Sequence, residues 1–357
     1  GTGKDEPILY PPEFWPVSLR VKTGFEDVWK SSQSTDQGRR TVETRNFKVP
    51  DVILLGAGTL ARDLSFFVDV EFEKVTQIKE EFASVRFSNI LASPLLNLKF
   101  GLIELDTVTP KPRRLTEKRH ELFLNFSPNG RTDKAVAFGT EQLGVVLMGH
   151  TDSGQRYALY AIHGTDSRAE DNLLPDFYGR VSQAFETPIG RQKLGVFGYV
   201  GNTPTQFLTS GGKPIGGTGR ENRQFFRVGP DLDLRFGPFN LLAAYMHGED
   251  DKDLIKKGTR DAVLDGALIE LNYIPFINFA LVGRWEIINH NQQGDPTTPK
   301  RKGDIERFTG AVRYYPVEFS RAGAVLKAEF SSGRTRKTAS NLTDQVENTV
   351  FVGVEFV

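Results

Sequence analysis

The chain has 357 residues, with 45 Lys plus Arg against 45 Asp plus Glu, and so carries no net charge. That balance argues against nucleic acid as the main partner, since a phosphate-binding surface needs a basic excess. Cysteine is absent, which excludes disulfides, thiolate metal sites and haem attachment through a C-x-x-C-H motif. Any haem would have to belong to a partner.

Phe reaches 27 and Gly 35 while Met is only 2, a balance that suits a sheet protein with many turns. Period-two alternation predicts sixteen strands, near 15–29, 46–59, 63–75, 80–89, 95–106, 134–149, 155–164, 176–186, 190–201, 223–236, 239–248, 264–275, 277–289, 304–316, 321–333 and 348–357. One face of most segments is apolar and the other is charged. In chain order the charged face offers Arg20 and Lys22, then Asp69 and Glu71, then Arg86, Lys99 and Arg180. It continues with Arg227, Asp231, Asp233 and Arg235, then Arg284 and Glu286, Arg313, and finally Lys327, Glu329 and Glu355.

Links after even-numbered strands are short, such as "TPIG" and "FGPF", whereas most links after odd-numbered strands are long and polar. All short turns therefore lie at one end of the sheet. That asymmetry predicts a transmembrane antiparallel β-barrel of sixteen strands, with short periplasmic turns and long extracellular loops. An even count returns the last strand, "VFVGVEFV", to the first, so the edge is closed and its apolar face meets lipid. Residues 1–14 are expected as a periplasmic segment ahead of a single barrel over 15–357. The expected location is the outer membrane of a Gram-negative bacterium. No cleavable leader opens the sequence, as expected of a processed chain or a cytosolic one. No segment is long and apolar enough for a membrane helix; the best, 273–285, is broken by Pro275, Asn278 and Arg284. Aromatics at the short-turn ends, among them Tyr10, Trp15, Phe236, Phe239, Tyr273 and Phe276, predict an interfacial girdle, with Trp29, Tyr245 and Trp285 at the other rim.

Gly56-x-Gly58-x-x-Ala61 imitates a dinucleotide fingerprint, but the following "RDLSFFVDVEFE" alternates as a strand instead of opening a helix. "GGKPIGGTG", Gly211 to Gly219, lacks the Ser or Thr after Lys213 and the preceding strand of a phosphate loop. His163 and His247 each open a His-Gly turn where a strand meets a loop, a spacing that predicts turns ahead of a shared metal site. No Ser, His and acid are gathered by any motif, so catalysis is not expected.

The lumen-facing candidates carry both signs in comparable number, which predicts weak selectivity or ion pairs across the wall. The link from Thr107 to Lys134 is basic, with Lys111, Arg113, Arg114, Lys118 and Arg119. It could fold inward as a constriction, dock an anionic partner, or lie outside against lipid phosphates.

"TLARDLSFFVDVEFE" (59–73), "ASVRFSNILASPLLNLKFGLIELD" (83–106) and "RRLT" (113–116) resemble the barrels of porin–cytochrome conduits. The likeness spans about 59–116, and the rest matches only as barrel. It implies a sheath that holds a multihaem cytochrome in its lumen and hands electrons to a second cytochrome outside, with no cofactor in the barrel itself. Family members can carry a haem-binding segment before the barrel; a chain without cysteine departs from that pattern. The expected function is such a sheath in outer-membrane lipid, and the alternative is a general diffusion porin for small hydrophilic solutes.

Overall fold

A computed structural model describes residues 17–34, 38–73, 77–110, 114–116, 141–164, 175–204, 222–251, 261–291, 304–319, 322–336 and 344–356. They form sixteen strands: β1 (Val17–Ser34), β2 (Gly38–Ala61), β3 (Leu64–Glu73), β4 (Gln77–Phe87), β5 (Asn97–Ile103), β6 (Gln142–His150), β7 (Gln155–Ile162) and β8 (Asp176–Thr187), followed by β9 (Gly190–Pro204), β10 (Asn222–Phe236), β11 (Phe239–Asp250), β12 (Ala262–Phe276), β13 (Phe279–His290), β14 (Ile305–Phe319), β15 (Ala322–Thr335) and β16 (Gln345–Phe356). Each strand pairs antiparallel with its neighbours in sequence, and β16 pairs with β1 from Val21↔Phe356 to Ser31↔Val346, closing the barrel. The ring leaves no sheet edge inside hydrocarbon, which is why strands can cross a membrane at all.

Alternation fixes which face meets lipid. On β9, Leu194 and Val196 are half-exposed on the outside, whereas Phe197 and Tyr199 are buried on the inside. At the short-turn end Phe236, Phe239 and Tyr273 stack in series with ring centroids 5.9 and 4.7 Å apart. Towards the other rim, Trp285 Nε1 donates to Glu306 at 2.9 Å and Tyr245 Oη donates to Asp265 at 2.5 Å. Apolar rings with one polar handle are the side chains suited to a membrane interface. Tyr10 and Trp15 of the expected girdle lie outside the described residues.

Three strand boundaries differ widely from the sequence expectation. The segment after β1, "KSSQSTDQGRRTVET", was expected as a loop; instead β1 runs to Ser34 and β2 starts at Gly38, paired from Ser34↔Gly38 down to Val17↔Gly56. β2 pairs with β3 only from Val52 onward, so the hairpin stands above the neighbouring strand. In water on both faces, such a strand has no need of an apolar side, and residues 41–48 are all exposed. β6 begins at Gln142, later than the expected 134. The dinucleotide-like glycines fall within β2, and a Cβ at Gly58 would sit 2.8 Å from the Phe66 ring, so the glycine admits a cross-strand aromatic.

Candidate functional site: a lumen crossed by one segment

Between β5 and β6 the chain does not stay outside the barrel. Asp106, just beyond β5, is held by the β7–β8 wall: its N–H donates to Tyr160 Oη (3.0 Å), its carbonyl accepts from Tyr178 Oη (2.6 Å), and its carboxylate lies 3.2 Å from the Arg180 guanidinium. Ten residues later, Thr116 Oγ1 accepts from Arg284 on β13 (2.7 Å), and the Leu115 carbonyl accepts from Arg313 on β14 (2.7 Å). β5 and β13 are eight strands apart in a ring of sixteen, so the segment crosses the lumen from one side to the other. Within it, Arg114 Nε donates to the Thr109 carbonyl (3.3 Å) and the guanidinium lies 3.8 Å from Glu104. The inward course is one of the three open to the basic link; Lys111, Arg113, Lys118 and Arg119 lie outside the described residues.

Apolar contacts seat the same segment. Leu105 and Val108 join a buried cluster on the inward face that includes Ile103, Val146, Ile162, Met246, Leu264, Leu268 and Ile288. Tyr160, Tyr178, Tyr199 and Phe225 continue it as a row of rings on four successive strands, with centroids 5.4, 6.3 and 5.5 Å apart. The inner wall thus holds more apolar side chains than charged alternation alone predicts. Each buried polar atom in this row has a partner: Tyr199 Oη donates to Asp176 (2.6 Å), and Arg227, paired with Asp250 (2.7 Å), stands 5.7 Å above the Phe225 ring.

The charged residues read from the sequence divide into two groups. On the filled side they are locked in pairs. Arg180 makes a two-pronged contact with Asp231 (2.8 and 2.6 Å), and Arg284 Nε donates to Glu270 (2.8 Å), every one of these side chains being almost wholly buried. Glu286 on β13 and Glu329 on β15 are buried as well. At the seam, Glu355 receives both Arg20 (2.5 Å) and Lys327, stapling β1, β15 and β16 from within. Such desolvated pairs need their full set of hydrogen bonds to be tolerated, and between Arg180 and Asp231 the bidentate geometry supplies them.

The second group faces open space. A cavity of about 740 Å³ separates the crossing segment from the β1–β7 wall; Arg20, Asp69 and Arg86 line it with Lys22, Lys99, Glu104, Asp106, Arg114, Arg156 and Arg313. A second cavity of about 220 Å³ opens at the short-turn end, lined by Arg156, Arg191, Lys193, Asp233 and Arg235. Glu71, on the same face of β3 as Asp69, is opposite Ile53 of β2. Asp106, Tyr160, Tyr178, Thr116 and Glu270 were not singled out by sequence reading, because their partners are 14 to 168 residues away and no local pattern links them.

His247 Nδ1 lies 2.9 Å from Asp265 on the lipid-facing side of β11, while His163 follows β7, four strands away; among the described residues no group of three His, Asp or Glu could hold a metal.

No known family profile matches the chain, and no curated protein matches it by sequence. Solved structures do. An anion-selective porin from Comamonas acidovorans aligns with a TM-score of 0.58 at 11% identity, covering 95% of this chain and 98% of its own. The outer-membrane channel DcaP of Acinetobacter baumannii gives 0.56 at 12%, covering 94% and 96%. Outer-membrane-expressed OmpT of Vibrio cholerae gives 0.56 at 13%, covering 95% and 97%. At such identities the likeness is one of fold, and it is complete along the chain: a closed sixteen-stranded barrel of the outer-membrane porin type.

Proposed function

We propose that the protein is a passive diffusion pore of a Gram-negative outer membrane, admitting small hydrophilic solutes through an aperture narrowed by the segment that crosses its lumen. The observation that carries this reading is the cavity of about 740 Å³, lined by charged and apolar side chains together, left open beside a segment anchored at both walls. A wall closed by strand pairing all round, apolar outside and carrying charges within, is the arrangement that lets water and solutes pass while lipid is excluded. The porin structures it resembles favour this reading over catalysis.

The sheath around a multihaem cytochrome ranks second. Its support is the resemblance over 59–116, and the crossing segment occupies the space an inserted cytochrome would need. Refolded in detergent and added to a planar bilayer, the purified chain is expected to give stepwise conductance. Liposomes containing it are expected to swell faster in a pentose than in a trisaccharide. Inserted protein with neither conductance nor swelling overturns the pore. Haem absorbance that follows the chain through mild-detergent purification would favour the sheath.

A further inference from the structure

The charges that cancel over the whole chain do not cancel along the open path. Seven bases line the larger cavity against the carboxylates of Asp69, Glu104 and Asp106, and four bases line the smaller one against Asp233. Some of the bases are engaged in turn: Glu355 holds Arg20 at 2.5 Å, and Asp233 lies 3.7 Å from Arg235. Asp106 sits between two guanidinium groups, Arg180 at 3.2 Å and Arg156 at 3.7 Å. Arg191 at the rim is 3.4 Å from Glu186, a contact exposed to water on both sides and therefore weak.

We propose that the pore prefers small anions, and that they follow a single basic track down one side of the lumen; this rests on the diffusion-pore reading. Arg86 on β4 and Lys99 on β5 are register partners facing the larger cavity, and Arg86 is exposed with no carboxylate partner among the described residues. Arg156 lines both cavities and stands between them. Lys193 and Arg235 carry the positive wall on to the short-turn mouth. A sphere of the larger volume is about 11 Å across, so an ion near its centre lies within one Debye length (~10 Å at 0.1 M salt) of the whole lining rather than of its nearest wall alone. The planar guanidinium groups of Arg86 and Arg156 match the oxygens of carboxylate and phosphate solutes. On the opposite wall Asp231, Asp250 and Glu270 are each bound to a buried arginine, which removes the cation-attracting counterpart such tracks often face.

The test is the reversal potential of the full chain in a planar bilayer across a tenfold KCl gradient. Chloride is expected to permeate at least about threefold more readily than potassium, the scale of focusing that a charged cleft produces. The Arg86→Glu/Lys99→Glu double variant and, separately, the Lys193→Gln/Arg235→Gln variant should bring the ratio towards unity or below. Arg45→Gln, on the outward face of the β1–β2 hairpin, should leave it unchanged. Correct folding of each variant is read from its heat-shifted band in detergent gels. A wild-type ratio at or below unity, or a ratio unmoved in both folded variants, overturns the anion track while leaving the pore intact. Inserted wild-type chain with no current at all defeats the pore itself.

Discussion

A single buried carboxylate illustrates how the wall is held. Glu270 lies at 1% exposure and accepts from both Arg284 and Asn272, the latter at 3.0 Å. Removing it strands a guanidinium that is itself out of water. Glu270→Ala is therefore expected to lower stability by about 3–5 kcal/mol, whereas replacing both partners with Leu and Met should cost far less; urea unfolding of the refolded barrel distinguishes the two. Sequence reading placed Arg284 on the inward face from alternation alone, and its neighbour Trp285 on the outward one. It did not pair Arg284 with Thr116, 168 positions away, because alternation specifies a side of the sheet and carries no information about what stands opposite across a lumen.

Strands and the crossing segment were unequally legible for a related reason. A membrane strand has to present apolar atoms to lipid at every second position, so its signature is written locally and survives in a single sequence. The β1–β2 hairpin above the membrane carries no such obligation, and "SSQSTDQGRRTVET" consequently reads as a loop although Ser31–Ser34 pair with Gly38–Thr41 within it. The crossing segment is harder still. Its polar, basic composition is equally suited to an outer loop, and what draws it inward is the match of Leu105 and Val108 to an apolar cluster assembled from ten strands. Two consequences follow for the element. Asp106→Ala together with Thr116→Ala loosens both moorings and should broaden the distribution of single-channel conductance. Excision of residues 107–116 should raise the mean conductance while the heat-modifiable barrel persists on gels, because no strand pairing depends on them.

For the molecule as a whole, stability is set by two solvents rather than one. Val196 points outward near the middle of β9 and is half-exposed, whereas its register partner across β10 is Pro230 and the inward Ser182 of β8 is buried in the lumen wall. Val196→Arg is expected to cost about 2–4 kcal/mol in a lipid bilayer, read from denaturant titration in vesicles. In a short-chain detergent the penalty should shrink, since water reaches the charge there. A barrel with no cysteine also allows single reporter cysteines anywhere on it without a competing thiol.

The moorings of the crossing segment have a mechanical corollary. A chord fixed to two well-separated staves of a hoop cannot keep its clearance when the hoop is squeezed: flattening along the Asp106–Thr116 line alters the opening in one sense, and flattening at right angles to it in the other. Aperture and cross-sectional shape thus become one variable, and stretching or compressing the surrounding leaflet should register as a graded change in ionic current with no gate involved.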